Sequence, residues 1–507
     1  MLPIVLRVLY GRLRAAKRGK KDGGKGAIHA KRTLILHQLM DLSEDHLRYF
    51  FDLWFEELYS GADLQGRSIY EYILEGGTAP EKNMKLLQAC IEMIQAILHK
   101  LGSLMNKNLD YILQTIVWIG FVVTSQSSSK AVGYKAVRNS VYSQISAFFS
   151  KFVEFSYSAR AEEAVYHTFV WRPLENFDKD YIHSPSGVLQ LVLCWSKEPR
   201  YWRYLQSAHP VQGFRLLENI VKVLLKSTTA GKVVDCVLEV FNNLVTPLET
   251  METEANSFQE IGVKTALQEL DSLLLHFDNW IKASNKDVKQ LRKVGVKLDI
   301  LTHLAPHISK PTVALEFLNQ LFVMLNSIKK PESVSKVLVI TQYLVDRVEE
   351  GQLSDIVELA VPFFGKLSSR QERTELSNFM RRVRERAPAL RTLCDVCINL
   401  NAFDRRRFEE PDFEARMQEF IRIRDGLRKE VDMSLPELRA VFYNCSFFLQ
   451  HETDSSLKTN TLDTLLLLCL GIKRLGDRDI EAARKFINKV CLEQIKRGIK
   501  SKEDTVR

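Results

Sequence analysis

Cys394-Asp395-Val396-Cys397 is the first place in this 507-residue chain where residue types and spacing suggest chemistry. Two thiols at i and i+3 supply half of a tetrahedral zinc site, or a redox dithiol. Zinc would need two further ligands, and neither a second CxxC nor a His pair lies nearby in the sequence. The cysteines instead continue the helical apolar stripe Leu390, Leu393, Cys394, Cys397 and Ile398, which places them in a core. His29, His37 and His46 share a basic N-terminal region at spacings that match no metal-ligand pattern. His303 and His307 stand four apart without the glutamate of an HExxH motif. Asp22-Gly23-Gly24-Lys25-Gly26 is rich in glycine, but lacks the GxxxxGK(S/T) spacing of a phosphate cradle and follows no strand. No nucleophile elbow or carboxylate pair stands out. The chain is therefore read as a non-enzyme, with no catalytic, cofactor-binding or metal-ligating residue assigned and no small-molecule substrate expected.

One polar feature rises above this background. Arg12, Arg14, Lys17, Arg18, Lys20, Lys21, Lys25, Lys31 and Arg32 crowd into a short N-terminal tract. Residues 1–32 hold ten basic side chains against one acid, Asp22, and so account for the whole net charge of +9; the other 475 residues carry 61 of each sign. A localised cationic tract on a neutral body neutralises phosphates without reading base sequence. It equally suits a nuclear import signal or a solvated loop, and all three readings stay open. Smaller clusters recur at Arg381-Arg382-Arg384-Arg386, Arg405-Arg406-Arg407 and Arg422-Arg424-Arg428-Lys429, with Glu385, Glu409, Glu410 and Asp425 interleaved. Pairing along helix faces is the expectation for these.

The elements that must carry such residues read as helices. Leu86, Leu87, Cys90, Ile91, Ile94, Ile97, Leu98 and Leu101 recur at three and four, as do Val234–Leu244 and Val337–Val345. Pro306, Pro331, Pro362, Pro388, Pro411 and Pro436 fall about one helix plus a connection apart. Ser434-Leu435-Pro436-Glu437 combines a cap, a first-turn proline and a capping-box acid. Leu298–Ile308, with Pro306, and Leu359–Phe364, with Pro362, resemble first helices of HEAT repeats bent late by proline. The fold class expected is all-α, a HEAT-like helical-repeat α-solenoid running continuously over 1–507. A basic flexible loop is expected at 17–27, and no composition shift marks an internal boundary. The longest apolar run, Tyr111 to Val123, is too short for a bilayer, so no membrane partner is expected. The opening MLPIVLRVLYGRL puts its apolar part before its basic part, the reverse of a secretory signal. The eight cysteines, mostly isolated within apolar stripes, read as free buried thiols.

Leu2–Arg12, followed by a Lys/Gly-rich insertion, resembles a segment of the small-subunit processome component 20 proteins, also called the down-regulated-in-metastasis family. Leu400–Met417, reading LNAFDRRRFEEPDFEARM, resembles a second segment, and Cys194–Tyr201 is similar to a third. The resemblance implies a long nucleolar HEAT-repeat scaffold of the U-three small nucleolar ribonucleoprotein. It implies a role in 18S pre-rRNA processing, with pre-rRNA, small nucleolar RNA and other processome proteins as partners. It brings no catalytic residue. The chain is far shorter than the family's members, so an internal stretch, a fragment or a truncated gene model is expected. Two rival readings share the helical-repeat fold: a nuclear transport receptor or adaptor, and a regulatory scaffold for a separate catalytic subunit.

Overall fold

The computed structural model describes residues 43–125, 133–172, 183–207, 215–248, 253–291, 294–404, 410–429, 431 and 433–492. Every regular element among them is a helix, and an isolated β-bridge joins Phe403 to Pro411. Contacts divide the chain into two compact units, 1–272 and 273–507. The first contains α1 (Glu44–Tyr59), α2 (Ile69–Leu74), α3 (Met84–Leu101), α4 (Leu109–Ser125), α5 (Tyr134–Lys151), α6 (Ala159–Tyr166), α7 (Gly187–Ser196), α8 (Trp202–Gln206), α9 (Leu216–Leu224), α10 (Gly231–Val245) and α11 (Thr253–Leu267). Helix α12 (Leu270–Lys286) lies mostly in the second. There it is followed by α13 (Val294–Leu304), α14 (Pro311–Leu325), α15 (Pro331–Val345), α16 (Leu353–Ala360), α17 (Arg370–Arg386), α18 (Arg391–Leu400), α19 (Phe413–Arg428), α20 (Leu435–His451), α21 (Ser455–Arg478) and α22 (Ile480–Phe486).

Helices bury their apolar stripes on near neighbours in the chain, commonly the next but one. In the first unit α3 packs on α5, α5 on α7 and α7 on α10. In the second α13 packs on α15 and α15 on α17, while α18 packs on α20 and α19 on α21. This local stacking is the arrangement expected of HEAT-like repeats, in which a helix pair cannot bury its core face alone. The all-α helical-repeat fold class holds. The apolar run at Tyr111–Val123 is the centre of α4, whose buried residues include Ile112, Ile116, Trp118 and Phe121. Among the described residues no helix is long and apolar enough to cross a membrane.

The prolines act as their chemistry requires. Pro306 and Pro362 sit in 3₁₀ turns at Ala305–His307 and Val361–Gly365, which end α13 and α16 with the late bend expected. Pro311 and Pro331 open α14 and α15, where the missing N–H goes unneeded. The capping box at Ser434 forms in full: the Glu437 N–H donates to Ser434 Oγ at 3.4 Å and the Ser434 N–H donates to the Glu437 carboxylate at 2.7 Å. Ser434→Ala should lower stability by about 1 kcal/mol, measured as a shift of the urea midpoint with no change in slope.

Cys394 and Cys397 lie fully buried in α18. Burial pushes the Cys394 thiol up to about 12 and Cys397 well above its ordinary value, so both are inert core thiols. Cys90, Cys236 and Cys445 are also buried, but Cys469 is exposed on α21, against the expectation of burial. His29 and His37 lie outside the described residues, and His46 is exposed with Nδ1 2.7 Å from Ser43 Oγ.

Candidate functional site and candidate nucleic-acid interface

Arg12, Arg14, Lys17, Arg18, Lys20, Lys21, Lys25, Lys31 and Arg32 lie outside the described residues, and so does the expected loop at 17–27. The described chain offers three side-chain arrangements of its own.

The first is built where LNAFDRRRFEEPDFEARM leaves α18 and enters α19. Asp412 lies beside Ala402. The two flanks are tied by an antiparallel bridge between Phe403 and Pro411. The Asp404 N–H donates to Glu410 O at 3.0 Å, and the Asp412 N–H donates to Ala402 O at 3.0 Å. Asp412 then caps α19, its carboxylate accepting from the Ala415 N–H at 2.9 Å. Arg416, one turn into α19 and 4% exposed, reaches back so that its Nε donates to the same Ala402 O at 3.2 Å. The guanidinium also lies 5.2 Å from the Phe403 ring and 3.6 Å from the Glu452 carboxylate. Arg370 of α17 faces that ring at 5.0 Å. Residues 405–409 lie outside the described residues.

Beneath this base sits Arg373 of α17, 2% exposed. Its guanidinium donates to Phe364 O at 2.7 Å, to Leu367 O at 2.9 Å and to Asn401 Oδ1 at 2.9 Å, and it faces the Phe447 ring at 3.4 Å. Asn401 passes the network on, donating to Asn444 Oδ1 at 2.7 Å and to Cys397 O at 2.6 Å. Desolvation, with the like charge of Arg416 behind it, pulls Arg373 down to about 9, so it stays charged at neutral pH. Asn401, Phe403, Pro411, Asp412 and Arg416 together tie the end of α18 to the start of α19. A cluster able to hold a metal is not found among the described residues.

The second arrangement is a cleft of about 530 Å³ between the first turns of α5 and α7. Lys135, Arg138, Asn139, Ser184 and Ser186 line it, and none of its lining residues is acidic. Ser186 caps α7, accepting from the Leu189 N–H at 3.0 Å, and the positive end of that helix dipole adds to the two cations. Nothing in the sequence singled out this cleft, because only the packing of α7 beside α5 brings Ser184 and Ser186 up to Lys135 and Arg138.

The third answers the Cys194–Tyr201 segment. Trp195 is fully buried, stacked on Tyr201 at 4.9 Å and on Tyr166 at 5.9 Å. Arg200 donates to Phe155 O at 3.2 Å and to Val153 O, pinning the α5–α6 connection. This segment is a packing staple within its unit.

The smaller arginine clusters pair, though mainly across helices rather than with the interleaved acids. Arg382 binds Asp346 of the α15 C-terminus, Arg384 binds Asp395 of α18 at 2.9 Å, and Arg386 donates to Val345 O and to Val348 O. Arg424 reaches Asp463 of α21 at 3.5 Å, while Arg422 pairs within α19 to Glu419. Arg405, Arg406 and Arg407 lie outside the described residues.

A family model described as "U3 small nucleolar RNA-associated protein 20, N-terminal" matches residues 1–503. The U3 small nucleolar RNA-associated protein 20 of Schizosaccharomyces pombe is 20% identical over 536 residues, covering 100% of this chain and 20% of that protein. Its counterpart in Saccharomyces cerevisiae is 19% identical over 483 residues, covering 92% of this chain and 18% of that protein. The chain thus spans about a fifth of the length of these relatives. With its family match running through nearly the whole helical stack, the chain belongs to the U3 small nucleolar RNA-associated protein 20 family, over that family's N-terminal region.

Proposed function

We propose that this chain is a non-catalytic scaffold within the small-subunit processome, acting in the nucleolus in 18S pre-rRNA processing. Its partners on this reading are pre-rRNA, small nucleolar RNA and other processome proteins. The match to the family over residues 1–503 carries the proposal. Physical support comes from the architecture. Stacked helix pairs offer long ridged surfaces for proteins, and concentrated cations offer phosphate contacts. The tract from Arg12 to Arg32 supplies the strongest such concentration, and the Lys135–Arg138 cleft adds a smaller one.

Replacing Lys17, Arg18, Lys20, Lys21 and Lys25 with Ala tests the electrostatic part. Binding to a single-stranded RNA should weaken, and the slope of log affinity against log salt should shrink by about 0.7 for each phosphate no longer neutralised. An unchanged slope would remove the tract from RNA binding. Import is scored separately with the same variant fused to a fluorescent reporter. Pull-down from nuclear extract separates the wider readings. Precursor rRNA with processome proteins is expected; import cargo or a catalytic subunit would instead support the transport-receptor or regulatory-scaffold reading.

A further inference from the structure

Helices α21 and α22 leave an apolar groove of about 640 Å³ between them. Leu468 and Ile472 of α21 form one wall; Ile480 of α22 and Ile487 of the following turn form the other. Twelve residues line it, of which two are charged, and both of those, Lys473 and Arg484, are cations. The apolar surface continues around α21, where Leu462, Leu466 and Leu470 repeat every four residues at 46%, 72% and 46% exposure. Ile480 is 62% exposed. Scattered exposed leucines need no explanation, but a contiguous groove and stripe of this kind marks an interaction surface.

We infer that this groove binds one amphipathic helix of another polypeptide, with its aliphatic face in the groove and acidic residues flanking that face. The shape is that of a helix-in-groove site, read by anchors at i, i+3 or i+4, and i+7. The sign of the flanking charge follows from Lys473 and Arg484, which no acid in the lining offsets. The same charges disfavour the chain's own residues 493–507, which carry five cations against three acids. The packing continues what the unit already does, since α21 already receives α19 and α20, and Phe442 of α20 also lines the groove.

Cys469 gives a direct readout, because its exposed thiol lines the groove. The probes are two synthetic helical peptides of about 18 residues with the same leucine face, one flanked by Glu and one by Lys. The Glu-flanked peptide should slow labelling of Cys469 by an aromatic disulfide reagent and bind about tenfold tighter than the other by fluorescence anisotropy. Lys473→Glu with Arg484→Glu should reverse that order, and Ile480→Glu should abolish binding while leaving the circular dichroism spectrum unchanged. Equal binding of the two peptides, or no protection of Cys469, overturns the inference. Dimerisation of the chain that Leu466→Glu abolishes would assign the face to a second copy and overturn it too. So would faster Cys469 labelling on removal of residues 493–507, since the tail would then be the occupant.

Discussion

Arg373→Met should destabilise the second unit by about 2–4 kcal/mol, although Met nearly matches the aliphatic volume of the side chain it replaces. The substitution leaves Phe364 O, Leu367 O and Asn401 Oδ1 facing a thioether, and all three accept from the guanidinium in a region closed to water. A buried acceptor stripped of its donor costs about 1–3 kcal/mol, and the contact with the Phe447 ring adds to the loss. One effect opposes this. Arg373 is held by neutral acceptors, so removing it strands no counter-charge and relieves the cost of keeping a cation out of water. Three orphaned acceptors outweigh that relief, because the guanidinium meets them with well-aligned donors and stays charged. Arg373→Lys should fall between the two, since a single ammonium cannot span three acceptors lying in different directions. Native-state hydrogen exchange suits the measurement, because two compact units need not unfold together. Loss of protection should concentrate in α17, α18 and α20. A Met variant within about 0.5 kcal/mol of the parent would show that the network is dispensable.

The same residue shows what the sequence conveys. Arg373, Leu376, Met380 and Val383 follow the three-and-four spacing of a buried stripe, so the periodicity of α17 already placed an arginine on the core face. That signal was readable, but its consequence was not. The acceptors come from the Val361–Gly365 turn, from Leu367 and from the end of α18, and only the packed structure assembles them. Helix stripes, proline bends and the Ser434 capping box were legible because each is set by residues within a turn or two. The arginine partners were not, because Arg382–Asp346 and Arg439–Glu358 join residues on different helices. The Lys135–Arg138 cleft escaped for the same reason. The segment LNAFDRRRFEEPDFEARM was legible only as a resemblance, and the structure adds that Asp412 and Arg416 tie the start of α19 back to Ala402.

Gly262→Ala should lower the stability of the first unit by about 2 kcal/mol or more, despite Ala being the better helix former. Gly262 lies inside α11, where replacing glycine with alanine ordinarily gains about 1 kcal/mol. Here a methyl group would stand 2.5 Å from the carbonyl oxygen of Leu244 and 2.5 Å from the Trp202 ring. Neither can yield cheaply. Leu244 O is backbone near the end of α10, and Trp202 is 1% exposed with its Nε1–H donating to Ser196 O at 2.8 Å. The helices must therefore separate, and loosening a close-packed contact over α8, α10 and α11 costs more than the propensity returns. Gly426 supplies the contrast. It too is inside a helix, α19, but nothing lies within 4 Å of the position its Cβ would take. Gly426→Ala should stabilise by about 0.5–1 kcal/mol through the unfolded chain alone. Denaturant midpoints moving in opposite directions for the two variants would establish close helix approach at Gly262 as the cause. Equal shifts of one sign would mean that propensity governs both positions and that α11 sits farther from α10 than these distances indicate.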